Sequence, residues 1–288
     1  MDGTFSVVPV IFKQLYTIHG RYKGHHVPLV YVLTSDKKEE TYNAILRALL
    51  DIEPKINPTD FMTDFEKGAM NAVQRNFPMA EVHGCFFHFT QNIWRHIQLV
   101  GLQTVYNDNA DFAFQFRLII ALAFLPTDCV SDAYDELITT EFFNGPNVHK
   151  DAIEELLTYF QSTYVYDFDR FGKKKPPLFP PALWNVYGLI LSGFPRTNNH
   201  CEGWHNRIAA MWGTHPSIFT FINGMKQEQD MQELEMARIE AGNEAAARRK
   251  TYVQSDKRII ELVKQFDADI HDGSYLPYLK SIAHNARF

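Results

Sequence analysis

Segments with a two-residue hydrophobic period alternate with segments of helical period through the first hundred residues, and that order leaves few folds open. QLYTIHGRY (14–22) and HVPLVYVLT (26–34) are rich in Val, Tyr, Leu and Thr and are separated by the turn-like KGH. They read as an antiparallel hairpin. In SDKKEETYNAILRALLDIEP (35–54), Tyr42, Ile45, Leu46, Leu49 and Leu50 recur at three- to four-residue spacing. This is the pattern of an amphipathic helix, capped by Ser35 or Asp36 and stopped before Pro54. DFMTDF (60–65) reads as a short buried strand and EKGAMNAVQRNFP (66–78) as a helix ending at Pro78. EVHGCFFHF (81–89) reads as a strand running into the helix TQNIWRHIQLVG (90–101). With a first strand at MDGTF, the order β-β-β-α-β-α-β-α implies an α/β layered domain built on a mixed sheet.

From about 102 to 195 the texture is helical, at 109–124, 128–142, 148–163 and 180–192. The KKKPP stretch interrupts it, because adjacent prolines exclude helix. Residues 197–212 and 215–250 are helical again. The latter holds FINGMKQEQDMQELEMARIEAGNEAAARRK, whose Gln, Glu, Met and Ala content suits an exposed helix or coiled-coil-like arm.

The composition is that of an ordinary soluble domain: of 288 residues, 45% are hydrophobic and 22% charged. Apolar runs such as FRLIIALAFL (116–125) are too short to span a bilayer, so no membrane partner is expected. Three cysteines without framework spacing (Cys85, Cys129, Cys201) point to a reducing compartment. A net charge of −6 disfavours nucleic acid on average. Two local basic stripes, RFGKKK (170–175) and ARRK (247–250), stand against that average, although each alone reads as a solvated face.

Three acids stand where chemistry is done. Asp64 ends the apolar strand FMTDF, at the rim of the sheet where α/β folds bind ligands; the alternative is a cap for the following helix. Asp2 has the same character, beside β-formers and before Gly3. In PRTNNHCEGWHNRI (195–208), Thr197, Asn198 and Asn199 are good N-caps, which places Glu202 in the first turns of a helix with His205 on its face. Gly203 leaves room for a close approach, and Trp204 reads as packing. Two carboxylates from strand ends and one from a helix suit two magnesium-type ions, which take oxygen ligands and act on phosphodiesters about 3.5–4 Å apart.

The segments DGTF, FMTDFEKGAMNAVQRNFP, VHGCFFHFTQNIWRHIQLVGL and PRTNNHCEGWHNRI, in that order, resemble the Mutator-like (MULE) transposase domain over about residues 1–225, with ALAFLP, LWNVYG and HPSIFTFI among the matching stretches. The resemblance implies an RNase H-like mixed sheet flanked by helices, with a large all-α insertion and a helical C-terminal arm. It divides the chain into a first core part (1–101), the insertion (102–195), a helix completing the core (196–225) and the arm (226–288). It also implies metal-dependent DNA strand cleavage and transfer, with Asp2, Asp64 and Glu202 as ligands for two Mg²⁺ or Mn²⁺ ions. DNA (transposon ends and target), a further copy of the chain and a nuclear location follow from it as partners and place. The chain opens one residue before Asp2, so the first strand is expected to be cut short and Asp2 to sit on a fraying end.

Cys85-Phe-Phe-His88 matches the CxxH motif of that family, and His88 is expected to hydrogen-bond in or beside the metal site. Cys85 reads as packing. Without the resemblance, Cys85 and His88 could join Cys201 and His205 in a zinc site. That reading is set aside because Cys201 adjoins Glu202, and one helix turn can hardly serve a closed zinc site and an open magnesium site together. Arg196 and Arg207 flank Glu202 and Arg95 follows CxxH; the three are the candidate phosphate contacts, with an ordinary ion pair as the alternative for each. Trp94 reads as core. A relic that binds DNA or protein without catalysis is the second functional reading that the residues leave open.

Overall fold

A computed structural model describes residues 1–243, 250–266 and 273–286. The chain is a mixed α/β protein that divides into two compact units. The first comprises the described residues of 1–82 and 198–247; the second comprises those of 83–197 and 248–288.

Strand β1 (Asp2–Thr4) pairs antiparallel with β2 (Gln14–Tyr22), which pairs antiparallel with β3 (His25–Thr34). The β2–β3 hairpin closes through Lys23 (φ 47°) and Gly24 (φ 82°). Two consecutive positive φ values give the mirror-image turn whose twist matches that of the strands. A register shift falls between Ile18 and His19. Helix α1 (Glu39–Ile52) starts later than the expected cap: Lys38 is its N-cap, while Asp36 accepts hydrogen bonds from Lys38 N–H at 3.1 Å and Thr41 Oγ1 at 2.5 Å. Strand β4 (Asp60–Thr63) and helix α2 (Lys67–Asn76) follow, and β4 pairs with β5 (Glu81–Gly84).

Strand β5 is shorter than the expected 81–89. Helix α3 (Phe86–Leu99) begins just after Cys85, because Phe86, Phe89, Ile93 and Ile97 recur at helical spacing and are buried together. The second unit continues with α4 (Gln103–Asp108), α5 (Ala110–Ala121), α6 (Val130–Ile138), α7 (Glu141–Asn144) and α8 (Lys150–Phe160). A small hairpin of β6 (Asp167–Phe168) and β7 (Lys174–Lys175) comes next, then α9 (Pro181–Trp184) and α10 (Tyr187–Leu191). Its core is aromatic: Phe89 stacks on Trp184 with centroids 4.8 Å apart, and Trp184 Nε1 donates to the Tyr164 carbonyl at 2.9 Å. In the RFGKKK stripe, Lys174 pairs with Asp135 at 2.8 Å and Lys175 with Asp167 at 2.9 Å, both at the solvated surface. ARRK lies, apart from the backbone of its last residue, outside the described residues.

The chain returns to the first unit with α11 (Asn199–Trp212) and α12 (Ile218–Glu240). Alternation along β2 and β3 explains the layers of this unit. Tyr16, Ile18, Val30 and Val32 pack with α1 and α2 through Tyr42, Leu46, Ala72 and Val73. Leu15, Tyr31 and Leu33 pack with Trp204, Ile208 and Trp212 of α11 and Phe221 of α12. A two-residue period thus sends alternate side chains into two helical layers.

Where an arm was expected from 226, α12 runs unbroken through that position and is seated by buried Phe221, Gly224, Glu228 and Ile239. Its solvent face keeps Met231 and Leu234 exposed. The last helices, α13 (Lys250–Lys264) and α14 (Leu276–Asn285), belong to the second unit. There Tyr278, Leu279, Ile282 and Ala283 of α14 are buried, and Tyr278 Oη donates to the Phe124 carbonyl at 2.6 Å. Among the described residues no helix is long and apolar enough to cross a membrane.

Gly224 of α12 lies against the Trp212 ring of α11. A Cβ at this position would lie 2.3 Å from Trp212 Nε1. In an exposed helix, glycine to alanine gains about 0.5–1 kcal/mol. Here overpacking against a rigid ring reverses the sign, and Gly224→Ala is expected to lose about 1–3 kcal/mol. Chemical denaturation checks this; an unchanged or raised midpoint would rule out the contact.

Candidate metal centre

Asp2 is 4% exposed and lies opposite Thr17 across the β1–β2 ladder, so both side chains share one face of the sheet. Its Oδ1 accepts from the Gly3 N–H at 2.7 Å, and its carbonyl accepts from Thr17 Oγ1 at 3.3 Å. The amino group of Met1 donates to the Met62 carbonyl of β4 at 2.6 Å. Where a fraying end was expected, pairing with β2 on one side and the Met62 carbonyl on the other hold the short strand that carries Asp2.

Asp64 follows the last residue of β4, at the strand's carboxyl end. It is not the cap of α2, whose N-cap is Glu66. Glu66 itself accepts hydrogen bonds from Lys37 and from the Tyr42 hydroxyl. A carboxylate oxygen of Asp64 and one of Asp2 lie within 4.8 Å of each other.

Helix α11 meets both acids. Asn198, its N-cap, makes no capping bond and instead turns its side-chain amide to Asp64 Oδ1 at 3.4 Å. His205 Nδ1 stands 3.6 Å from Asp2 Oδ2, and its Nε2 stands 3.5 Å from Thr17 Oγ1. Glu202 lies four residues after Asn198 and three before His205. At about 100° per residue the three span roughly 60° of the helix circumference, a single stripe. Glu202 is thus half-buried on the stripe whose two neighbours touch Asp64 and Asp2. The 4.8 Å grouping takes in the two aspartates and not Glu202.

The remaining expected residues are placed as follows. His88 belongs to the second unit, in the first turn of α3, and Cys85 before it is fully buried. Arg95 is exposed on α3. Arg196 forms an ion pair with Asp256 within the second unit. Arg207 Nη2 lies 2.7 Å from Oε1 of Glu228, a carboxylate with no exposed side-chain surface. Trp204 Nε1 and Gln232 Nε2 donate to the same oxygen at 2.6 and 2.7 Å. Trp94, read as core, is half-buried and stands edge-on to Tyr106 at 5.0 Å.

Beside the acids lies a group of histidines that sequence spacing did not bring together. His19 of β2 and His200 and Cys201 of α11 offer ligand-type atoms within 4.8 Å of one another. Burial pushes the pKa of His19 down to about 3, with His200 adding to the effect, and burial likewise lowers His200 to about 3. His26 stacks on His200 with centroids 3.7 Å apart and is lowered by burial as well. The only sequence signal was the parity of His19 with Thr17, and the bulge after Ile18 obscures it.

Comparison with known proteins fits this geometry. Residues 1–92 match the MULE transposase domain. The matching segment, about a third of the chain, carries Asp2, Asp64 and the CxxH motif, while Glu202 lies beyond it. Neither the curated proteins nor the solved structures contain a match to the chain.

Proposed function

We propose that the chain is the catalytic domain of a MULE-type transposase, cleaving and transferring DNA strands with Asp2, Asp64 and Glu202 as ligands for Mg²⁺ or Mn²⁺. The observation that carries this is the closeness of the Asp2 and Asp64 carboxylates under one stripe of α11 in a segment that matches the MULE domain. The Met1–Met62 hydrogen bond adds support. It brings the start of β1 to β4, and we read the separate β1-β2-β3 and β4-β5 sheets as two parts of one RNase H-like sheet.

The donor set fits the ions. Two close carboxylates, one of them buried, repel each other unless a cation or a proton lies between them. Hard oxygen donors with room for water are what magnesium requires. When bound, such ions would activate the attacking hydroxyl or water and stabilise the leaving oxygen of the phosphodiester. The protein's own residues prepare the acids: Asn198 orients Asp64 by its amide, and His205, beside both Thr17 and Asp2, fixes the Asp2 carboxylate. Glu202, on the stripe between them, supplies the third carboxylate.

DNA is the partner this reading requires, and joining two transposon ends calls for at least two copies of the chain. A nuclear location follows from a chromosomal substrate. Arg196 and Arg207 each hold a carboxylate, so a phosphate would have to displace it. Arg95, exposed on α3, is the readier phosphate contact. His88 is assigned a supporting hydrogen bond to the same chemistry.

Calorimetric titration of Mn²⁺ into the purified chain tests the reading beside Asp64→Asn and Glu202→Gln. Binding by the unsubstituted chain is expected to weaken by more than about tenfold in each variant, since even outer-shell changes cost 10–100-fold. Equal binding in all three would remove these acids from the site. Absence of binding in all three would leave a transposase-derived module that binds DNA or protein without catalysis.

A further inference from the structure

The His19, His200 and Cys201 group has donor chemistry that the carboxylate site does not use. Cys201 is fully buried, and His19 Nε2 is buried with no hydrogen-bond partner. A buried ring nitrogen left in that state costs free energy unless something occupies it. The three side chains converge from two elements. His19 comes from β2, and His200 and Cys201 come from successive positions of the first turn of α11, about 100° apart. Hydrogen bonding within the group does not satisfy His19 Nε2, and Trp204 only stands edge-on to its ring, with centroids 5.7 Å apart.

We propose that His19, His200 and Cys201 form a second metal site, specific for a soft divalent cation of the zinc type and distinct from the carboxylate site. Two imidazole nitrogens and one thiolate are the donors zinc prefers, and they are poor ligands for magnesium. Bond lengths of about 2.0 Å to nitrogen and 2.3 Å to sulfur put tetrahedral ligand atoms roughly 3.3–3.6 Å apart. Donors already within 4.8 Å of one another need to approach by only about 1–1.5 Å more to reach that spacing. Binding replaces the S–H bond of Cys201 with a metal–sulfur bond and releases the proton to solvent. Three protein ligands leave the fourth position to water.

This assignment differs from the zinc site set aside on sequence grounds, which joined Cys201 to His205. His205 faces Asp2 and Thr17 instead, and the Cys201 thiol lies within 4.8 Å of a ring nitrogen of His19 on β2. The structure overturns the expectation, raised on sequence grounds, that one helix turn can hardly serve two sites: Cys201 groups with His19 and His200, while Glu202, about 100° away, shares the stripe of Asn198 and His205. The metal would clamp β2, which pairs with the Asp2 strand, to the helix that carries Asn198, Glu202 and His205. It would thereby fix the register of α11 over the two aspartates. The site stands on its own donors and does not depend on the catalytic reading.

Cobalt(II) loaded into the full chain in place of zinc provides the test. One equivalent is expected to give tetrahedral d–d bands and a thiolate-to-cobalt charge-transfer band in the near ultraviolet, both displaced by added zinc. Cys201→Ser is expected to abolish the charge-transfer band, and His19→Gln to weaken cobalt binding by at least about tenfold. Cys85→Ser and Asp64→Asn should leave both bands intact, and the latter separates this site from the carboxylates. A missing charge-transfer band in the unsubstituted chain, or a band that survives Cys201→Ser, overturns the proposal. If Cys201→Ser fails to fold by circular dichroism, unchanged cobalt affinity in His19→Gln overturns it equally.

Discussion

The Asp64→Asn variant is expected to nick DNA in the presence of Mn²⁺ more than about a hundredfold more slowly than the unsubstituted chain. Asparagine keeps the size of aspartate and a carbonyl oxygen that can still accept from the Asn198 amide, so the contact with α11 survives. What disappears is one negative charge and one strong oxygen donor, and the metal requires both. Asp64 follows the end of β4 and caps no helix, so the thermal midpoint should move little. A supercoiled plasmid assay, run beside a thermal melt, separates lost chemistry from lost fold. Equal nicking by both proteins would mean that the aspartate pair is not where the chemistry happens. Inactivity of both would favour the binding module over the enzyme.

Arg207→Met is expected to destabilise the first unit by about 3–5 kcal/mol, the cost of stranding a buried charge. Glu228 has no exposed side-chain surface, and Arg207 is the cation beside it, with Trp204 and Gln232 donating to the same oxygen. Methionine can fill the arginine stem's volume but leaves the carboxylate uncompensated. In the double variant Arg207→Met with Glu228→Gln, the charge is gone while an amide oxygen still accepts from Trp204. The double variant should therefore be more stable than Arg207→Met alone, although it carries one more substitution. Urea denaturation of the four proteins in this cycle reads the coupling directly. Independent, additive losses would show that the pair contributes nothing as a pair. If Arg207 also touches phosphate, DNA affinity in the Glu228→Gln protein, where the guanidinium is released, should rise rather than fall.

Local pattern was sufficient for much of the first unit. The hairpin of β2 and β3, the helix α1 and the β4–α2 step were legible because a period of two or of 3.6 is written in consecutive residues. The strand expected at 81–89 was not, since Phe86 and Phe89 are as apolar as any strand residue. Only their burial with Ile93 and Ile97 assigns them to α3. The cap of α1 was misplaced by two or three residues for a related reason: Asp36 uses its carboxylate on Thr41 and on the Lys38 amide, a local turn that looks like a cap in sequence.

Asp64 was legible as a strand-end residue and Glu202 as a helix-start residue, whereas Asp2, expected at a strand end, is the first residue of β1; the stripe of Glu202 and His205 follows from helix geometry alone. What those residues touch was not. That Asn198 gives its amide to Asp64 rather than to its own helix, or that Arg207 is spent on Glu228, depends on partners 134 and 21 residues away in the chain. The grouping of His19 with His200 and Cys201 likewise joins a strand to a helix almost two hundred residues later. Periodicity and capping are short-range physics and can be read along the chain; pairing of buried charges, amides and metal-type donors is decided when β2 meets α11, and only the folded unit holds that information.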